Sequence, residues 1–543
     1  MKKFIVSLAV VLLAVACASP EKMAKMADNV KVECNPPVLE VVGGTIDAIV
    51  TVSYPKDYFH PSAILEVTPV IVYDGGEVAM KPFKYQGENV KDNYKVVSSE
   101  GQKVSEKVHF DYVEGMERCY LELRGKVIAG KKSIDLPGKR VADGANTTYM
   151  LVKRSGNLAF KADNYQDVIS TTTEGQIKYL VNSSEVRSSE LKGQSVADFL
   201  AALDAAKEEG ASVSTEIVAY ASPEGAESHN NELSENRGAS AEKALKQVAK
   251  GHEVGSASVR SVGEDWEGFQ QLVQESDLED KNLILRVLSM YSDPAVRESE
   301  IRNMSQVFTA LQGEVLPELR RARLIANVEK KNYTNEELLA LLENNESVLD
   351  EEALLRAASV SKDEGQKESI YKKAIERFGS ERAQYNLAVL YINQGKDDKA
   401  EAGLKDLPED ADVLNAKGVL ALHKDDLKVA EDCFRRSGSE DAKANLGTVL
   451  ILTGEYEEAV RVLENPKGCC HNSVLSLILT DQLDKAMKTA HCGDPKVWYL
   501  KAVIAARQGK SVDDVKKYLE KAYRRADLKE RAPRDIEFAG YEL

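Results

Sequence analysis

The sequence lacks the surplus of positive charge that a nucleic-acid binder needs. Its 72 Lys and Arg stand against 88 Asp and Glu, a formal net charge of −16, and such a surface repels phosphate backbones. Long apolar runs are also missing: the one from Phe4 to Val15 falls short of the about 20 residues of a membrane span. There is no Gly-x-Ser-x-Gly elbow, phosphate-cradling loop, His-Glu-x-x-His helix or convincing nucleophile set, so the motif-borne hydrolase and nucleotide chemistries find no support and no cofactor is expected. Cysteine is scarce, with seven in 543 residues.

What is present begins with an export signal over residues 1–16: Lys2 and Lys3, the apolar run, then small residues ending at Ala16 before Cys17. Leu13-Ala14-Val15-Ala16-Cys17 resembles a lipobox, with Ala14 where Leu is usual. That resemblance implies acylation of Cys17 and a membrane held through lipid, each buried methylene contributing about 0.8 kcal/mol. Ordinary cleavage would instead give a secreted protein. Ala18 to Lys22 lack the acidic cluster of resembling surface-export signals, so the expected location is the periplasmic side of the outer membrane.

Cys34, Cys119, Cys433, Cys469, Cys470 and Cys492 remain, and an exported chain can keep disulfides. Cys34 and Cys119 can staple two strands. "CCH" at 469–471 and "HC" at 491–492 leave open a disulfide from Cys469 or Cys470 to Cys492, free thiols, or a metal. Adjacent cysteines rarely both reach one tetrahedral ion, so no metal site is assigned.

A chain this long exceeds one core and reads as multidomain. Residues 17–29 are a polar tether with nothing foldable alone. From 30 to 152, runs such as "DAIVTVSY" and "AILEVTPVIVY" alternate with period two and predict an antiparallel all-β sandwich, with Pro37, Pro55 and Pro61 at strand starts or edges. From 165 to 330, "GQIKYLVNSSEVR", "SVADFLAALDAAKEEG", "VSTEIVAYA", "NNELSENRGASAEKALKQVAKG" and "SASVRSVGED" alternate strand and helix, an α/β sandwich. From 334 to 530 the pattern is all-α, opening at Thr334 and Glu337 with capping-box spacing.

This helical region repeats. Ala388, Tyr391, Ala400 and Leu404 are followed by Gly418, Ala430 and Phe434, then Gly447, Ala459 and Leu463, with weaker copies at Val474 and Ala486 and at Ala502 and Leu519. Small residues let antiparallel helices approach while larger ones fill the seam. The region resembles a tetratricopeptide solenoid, compressed to 29 or 30 residues per unit from the family's about 34, and the resemblance implies a surface for an unidentified envelope protein. The acid pairs Glu351-Glu352, Asp397-Asp398, Asp425-Asp426 and Glu457-Glu458 are placed near the start of second helices, where they complement the macrodipole.

The stretch "AYASPEGAESHNNELSENRGAS", 219–240, reads as a strand end, a turn and a helix start, with Asn230 or Asn231 as cap and Arg237 two turns beyond Asn230 on one face. Amides at a helix N-terminus and a guanidinium suit an anion. Gly225, Asn230, Leu233, Ser234 and Arg237 stand at the offsets of the OmpA-like peptidoglycan-binding domain, and Gly263-Glu264-Asp265 resembles its later Gly-Glu turn, with an apparent insertion at 270–305. In that family an Asp and the Arg hold the diaminopimelate end of the stem peptide. Arg237 matches, Ser222 stands where the Asp would be, and Glu224 is the substitute the sequence offers. The turn looks like a variant found in OmpA-like lipoproteins of Bacteroides-type bacteria. The other reading of Arg237 is a surface partner of Glu224 or Glu235. Asn230 and Ser234 are also read as braces of the turn, and Trp266 and Phe269 as core or groove lining.

The sequence therefore carries two main expectations, both non-enzymatic. One is an outer-membrane lipoprotein that binds peptidoglycan through Ser222, Glu224, Asn230 and Arg237 and scaffolds a protein through its repeats. The other is a chain whose OmpA-like module has lost wall binding and serves as a structural joint in an envelope assembly or adhesin-related factor. A wall or glycan hydrolase would need an acidic pair in a cleft, which the sequence does not single out.

Overall fold

A computed structural model describes residues 20–252, 254, 256–464 and 470–543. Cys17, the signal and Cys469 lie outside the described residues. The chain forms two compact units, residues up to Lys161 with Gly379–Leu543, and Ala162–Phe378. These do not follow the linear boundaries 30–152, 165–330 and 334–530.

The first unit opens with helix α1 (Pro20–Lys25), within the stretch expected to be a bare tether. Met23 is fully buried and its sulfur accepts from the His60 amide at 3.4 Å. Strands follow as β1 (Lys31–Asn35), β2 (Val38–Val42), β3 (Thr45–Tyr54), β4 (Ile64–Tyr73), β5 (Gly76–Ala79), β6 (Phe83–Gln86), β7 (Lys95–Val96), β8 (Gln102–Asp111), β9 (Cys119–Ala129), β10 (Lys132–Asp135) and β11 (Lys139–Asn146). Alternation of buried and exposed positions along β3 and β9 follows the period-two pattern. Val32, Val52 and Tyr54 face Leu65, Val67 and Leu123 across a cavity of about 60 Å³.

The expected two separate antiparallel sheets are in fact one hydrogen-bonded path, β1-β3-β2-β11-β9-β4-β6-β7. Strand β2 joins the layers because it pairs antiparallel with β3 and parallel with β11. Cys34 pairs across to Val50 and Cys119 to Tyr73, on strands well separated along that path, and both cysteines are free.

The second unit contains β12 (Val168–Lys178), β13 (Ser212–Ala221), β14 (Ser256–Glu264) and β15 (Arg321–Lys331), ordered β12-β15-β13-β14. Between them run α2 (Ser188–Leu191), α3 (Gln194–Glu208) and α4 (Glu227–Val248). Phe199, Leu203, Ala241 and Leu245 pack with Ile217, Ala219 and Leu324 of the sheet. The inserted stretch is five helices with a core of their own: α5 (Trp266–Glu275), α6 (Lys281–Met290), α7 (Pro294–Asn303), α8 (Ser305–Glu314) and α9 (Leu316–Leu319). Then come α10 (Asn335–Asn344), α11 (Glu351–Val360) and α12 (Glu364–Phe378). Thr334 and Glu337 form the capping box that their spacing predicts.

The first unit resumes with five antiparallel hairpins, a tetratricopeptide-like array. They pair α13 (Glu381–Asn393) with α14 (Asp397–Leu404), α15 (Ala411–His423) with α16 (Leu427–Ser437), α17 (Glu440–Thr453) with α18 (Tyr456–Val462), α19 (His471–Leu479) with α20 (Leu483–Thr489), and α21 (Pro495–Arg507) with α22 (Val512–Ala522), before α23 (Ala526–Arg531). Acid pairs open α14 and α18, and Asp426 caps α16. Glu351-Glu352, expected at a second helix, instead opens α11, the first helix of its pair.

The small residues sit at the helix crossings. A Cβ on Gly418 would lie 2.5 Å from the Phe434 ring, and one on Gly447 would lie 2.7 Å from Leu463 Cδ1. A Cβ on Gly403 would lie at an ordinary 3.7 Å from Ala388. Gly418→Val should therefore lower stability by about 2 to 3 kcal/mol through overpacking, whereas Gly403→Ala should raise it by about 0.5 to 1 kcal/mol through helix propensity. Denaturant midpoints followed by the helical signal check both directions.

Candidate functional site

Residues 152–161 belong to neither strand nor helix, so their amides and carbonyls need partners elsewhere. They find them on the first helices of the hairpins. The Asn472 side chain accepts from the Lys153 amide at 2.8 Å and donates to the Lys153 carbonyl at 3.0 Å. Asn445 does the same for Asn157 at 2.7 and 3.0 Å, and Asn386 for Lys161 at 2.7 and 2.9 Å. Asn415 adds a bond to the Asn157 carbonyl at 2.9 Å and accepts from Asn445 at 2.8 Å.

The spacing follows from backbone geometry. In an extended chain the N–H and C=O of one residue point the same way, and the direction recurs at every second residue. Residues 153, 157 and 161 thus share one edge. Leu151, whose carbonyl meets His471 Nε2 at 2.7 Å, and Ala159, whose carbonyl accepts from the Tyr385 hydroxyl at 3.1 Å, lie on it too. An asparagine amide presents one donor and one acceptor, which is what a single residue on that edge requires.

Side chains of the resident segment contribute selectively. A Cβ on Gly156 would lie 3.1 Å from Val419 Cβ and closer still to both its methyl carbons, so nothing larger than glycine fits. Lys161 pairs with Asp410 and sits 5.0 Å over the Tyr385 ring. Arg154 meets Asp425 at 2.9 Å. Beside Ser155 lies a polar cavity of about 50 Å³, lined also by Asn445, His471 and Asn472.

The asparagine set was missed in the sequence. Its signal was available: Asn386, Asn415, Asn445 and Asn472 recur at 29, 30 and 27 residues, each two or three residues before the small residue of its unit, on helices whose other buried positions are mostly apolar. Buried amides at a repeat's own period require a partner that repeats as well.

The turn at 219–240 is built differently from its expectation. Helix α4 starts after Ala226, which has no side-chain cap bond, so neither Asn230 nor Asn231 is the cap. Asn230 instead braces the turn, donating to Glu264 at 2.8 Å. Ser234 holds the Gly263 amide at 3.1 Å. Ser222 is buried and donates to Glu224 at 2.6 Å, while Glu224 pairs at 2.8 Å with Arg320, not with Arg237. Helices α5, α7, α8 and α9 pack around Pro223, which lies with Trp266, Phe269, Ile301, Phe308 and Leu316 around a space of only about 10 Å³. Phe269 is core, and the Trp266 indole donates to Glu264 at 2.8 Å.

Arg237, expected to face an anion, has no exposed surface. Its guanidinium donates to the carbonyls of Ser183 at 3.0 Å, Tyr220 at 2.9 Å and Leu180 at 3.2 Å, and it lies 5.2 Å from the Tyr179 ring centre. Burial lowers its pKa to about 10, the Tyr179 and Glu224 groups offsetting it only in part. The four residues expected as a ligand set are therefore already engaged, Ser222 with Glu224, Glu224 with Arg320, Asn230 with Glu264 and Arg237 with backbone carbonyls.

Cys470 is not in a disulfide. Burial pushes the Cys470 thiol up, and it shares a hydrogen bond with Cys492. Among the described residues no group of three or more His, Cys, Asp or Glu is placed to hold a metal.

No protein-family model matches the chain, and no curated protein matches it. Among solved structures it is similar to a tetratricopeptide repeat protein from Parabacteroides merdae, at 18% identity over 37% of this chain and 91% of that one, TM-score 0.29. It is also similar to YrrB, described as a TPR protein with an unusual peptide-binding site, at 16% identity over 37% and 97%, TM-score 0.22. A third is the Cut9–Hcn1 assembly of the APC/C, at 12% identity over 58% and 71%, TM-score 0.30. Such low scores carry no statement about what this chain binds.

His471 supplies a pH test of the groove. Burial holds its pKa down to about 4 from 6.5, so the ring stays neutral in the fold while the unfolded chain takes up a proton between those values. Stability is then fully present above about pH 6.5 and falls as pH drops toward the folded value, by on the order of 3 kcal/mol near pH 4. His471→Gln, which keeps a donor for Leu151, should flatten that part of the acid loss, as denaturant midpoints near pH 7 and near pH 4.5 would record.

Proposed function

We propose that this chain is a non-catalytic envelope scaffold, anchored by lipid on Cys17 to the periplasmic side of the outer membrane, in which an OmpA-like α/β module serves as a structural joint and the repeats engage protein. The observation that carries the joint reading is the burial of Arg237 with its guanidinium spent on three backbone carbonyls. A muropeptide carboxylate would have to displace those bonds and open the loop that supplies Leu180 and Ser183, leaving buried carbonyls unpaired at about 1 to 3 kcal/mol each. Ser222 in the place of the family's Asp removes the partner for the ligand's amine.

The βαβαβ order with β15 between β12 and β13 and the brace made by Asn230, Ser234 and the 263–265 turn are what favour descent from the OmpA-like fold. A tetratricopeptide-like array is suited to holding extended segments of protein, and this one holds a segment of its own chain.

Sedimentation with purified peptidoglycan tests the joint. Neither wild type nor Arg237→Ala should pellet; a wild type that pellets and loses this in Arg237→Ala would restore wall binding through the 219–240 turn. Labelling of cells with palmitate tests the anchor, with incorporation expected in wild type and absent in Cys17→Ser.

A further inference from the structure

The asparagine-lined groove holds its segment mainly through the main chain, with Leu151 and Val152 buried at its start. Leu151, Lys153, Asn157, Ala159 and Lys161 are each bound through an amide or carbonyl, and much of the segment's side-chain surface, at Arg154, Ser155, Asn157, Ala159 and Phe160, is exposed. Selection comes from three places: Val419, which admits only glycine, Asp425, which meets the preceding cation, and Asp410 with the Tyr385 ring, which meet the following one. No bond in this set needs the segment to be covalently part of the chain.

We propose that this groove is a peptide site for an extended partner segment of the pattern cation, any residue, glycine, four residues, cation, and that residues 153–161 are its built-in occupant. This rests on the reading of the repeats as a protein-engaging surface. Tethering holds the resident segment at an effective concentration of order millimolar, so a partner segment of equal intrinsic affinity enters only once residues 153–161 have left. The connecting segment is then a gate as well as a link, and the partner it excludes has the chemistry it displays.

The probe is a fluorescein-labelled peptide with the sequence of residues 151–162, followed by polarisation on the full chain. Wild type should give no saturable signal up to roughly 100 µM, because the tethered copy outcompetes the probe. Gly156→Val ejects the resident segment, since turning Val419 cannot clear its Cβ, and should bind the probe at least about tenfold more tightly. Adding Asn386→Ala and Asn445→Ala should abolish that binding, and a probe with Glu at the Arg154 and Lys161 positions should not bind.

If Gly156→Val loses its helical signal, Arg154→Glu with Lys161→Glu, which weakens the resident segment by charge alone, replaces it. Equal binding by wild type and the released variant, no binding by a released and folded variant, or equal binding of the charge-reversed probe each overturns the proposal. None of these outcomes bears on the wall-sedimentation result, which reads the other unit, so the joint reading stands or falls separately.

Discussion

An extended stretch without a neighbouring strand must satisfy its peptide groups by other means, and in this protein four asparagine amides do so. Each unpaired buried amide or carbonyl would cost about 1 to 3 kcal/mol, and the segment from Leu151 to Lys161 presents a whole edge of them. The repeat spacing of Asn386, Asn415, Asn445 and Asn472 turns that liability into a ladder. Because the segment leads directly out of the β-rich region, the ladder also makes that region and the later helices one unit.

A second contact reinforces the same union. Glu537, buried near the C-terminus, accepts from Asn146 at 2.9 Å, Thr148 at 2.6 Å and Arg507 at 2.6 Å. Arg531 reaches Thr147 at 2.7 Å while paired with Asp535 at 3.1 Å. These are charged groups out of water with most of their hydrogen-bonding capacity used, the condition under which a buried ion pair is tolerated. The end of the β-rich region is thus held by the last helices and the middle of the connecting segment by the preceding ones.

The 219–240 turn follows an opposite logic. There a cation that the resemblance places before a ligand is turned inward, and its hydrogen bonds go to backbone carbonyls beside the Tyr179 face rather than to a carboxylate. The acids nearby, Glu224 and Asp265, are taken by Arg320 and Arg321. A stretch can carry residues at the spacing of a binding motif while its cation is buried in the core.

Local pattern decided a great deal. Period-two runs, a capping box, small residues at helix crossings and a strand-helix alternation are each set by interactions within about one turn or one strand pair, and they appear where the sequence puts them. Asn230 and Ser234 were legible as braces, but their partners Glu264 and Gly263, 34 and 29 residues on, come from the fold. The strand β2 that fuses two expected layers, the helices that enclose Pro223, the accessibility of Arg237 and the union of residues before Lys161 with those after Gly379 were not. Each depends on which distant surfaces meet, and neither periodicity nor spacing carries that information. The asparagines lie between the two cases: their recurrence is written in the chain, but only the tertiary structure brings to them the one segment whose backbone needs them.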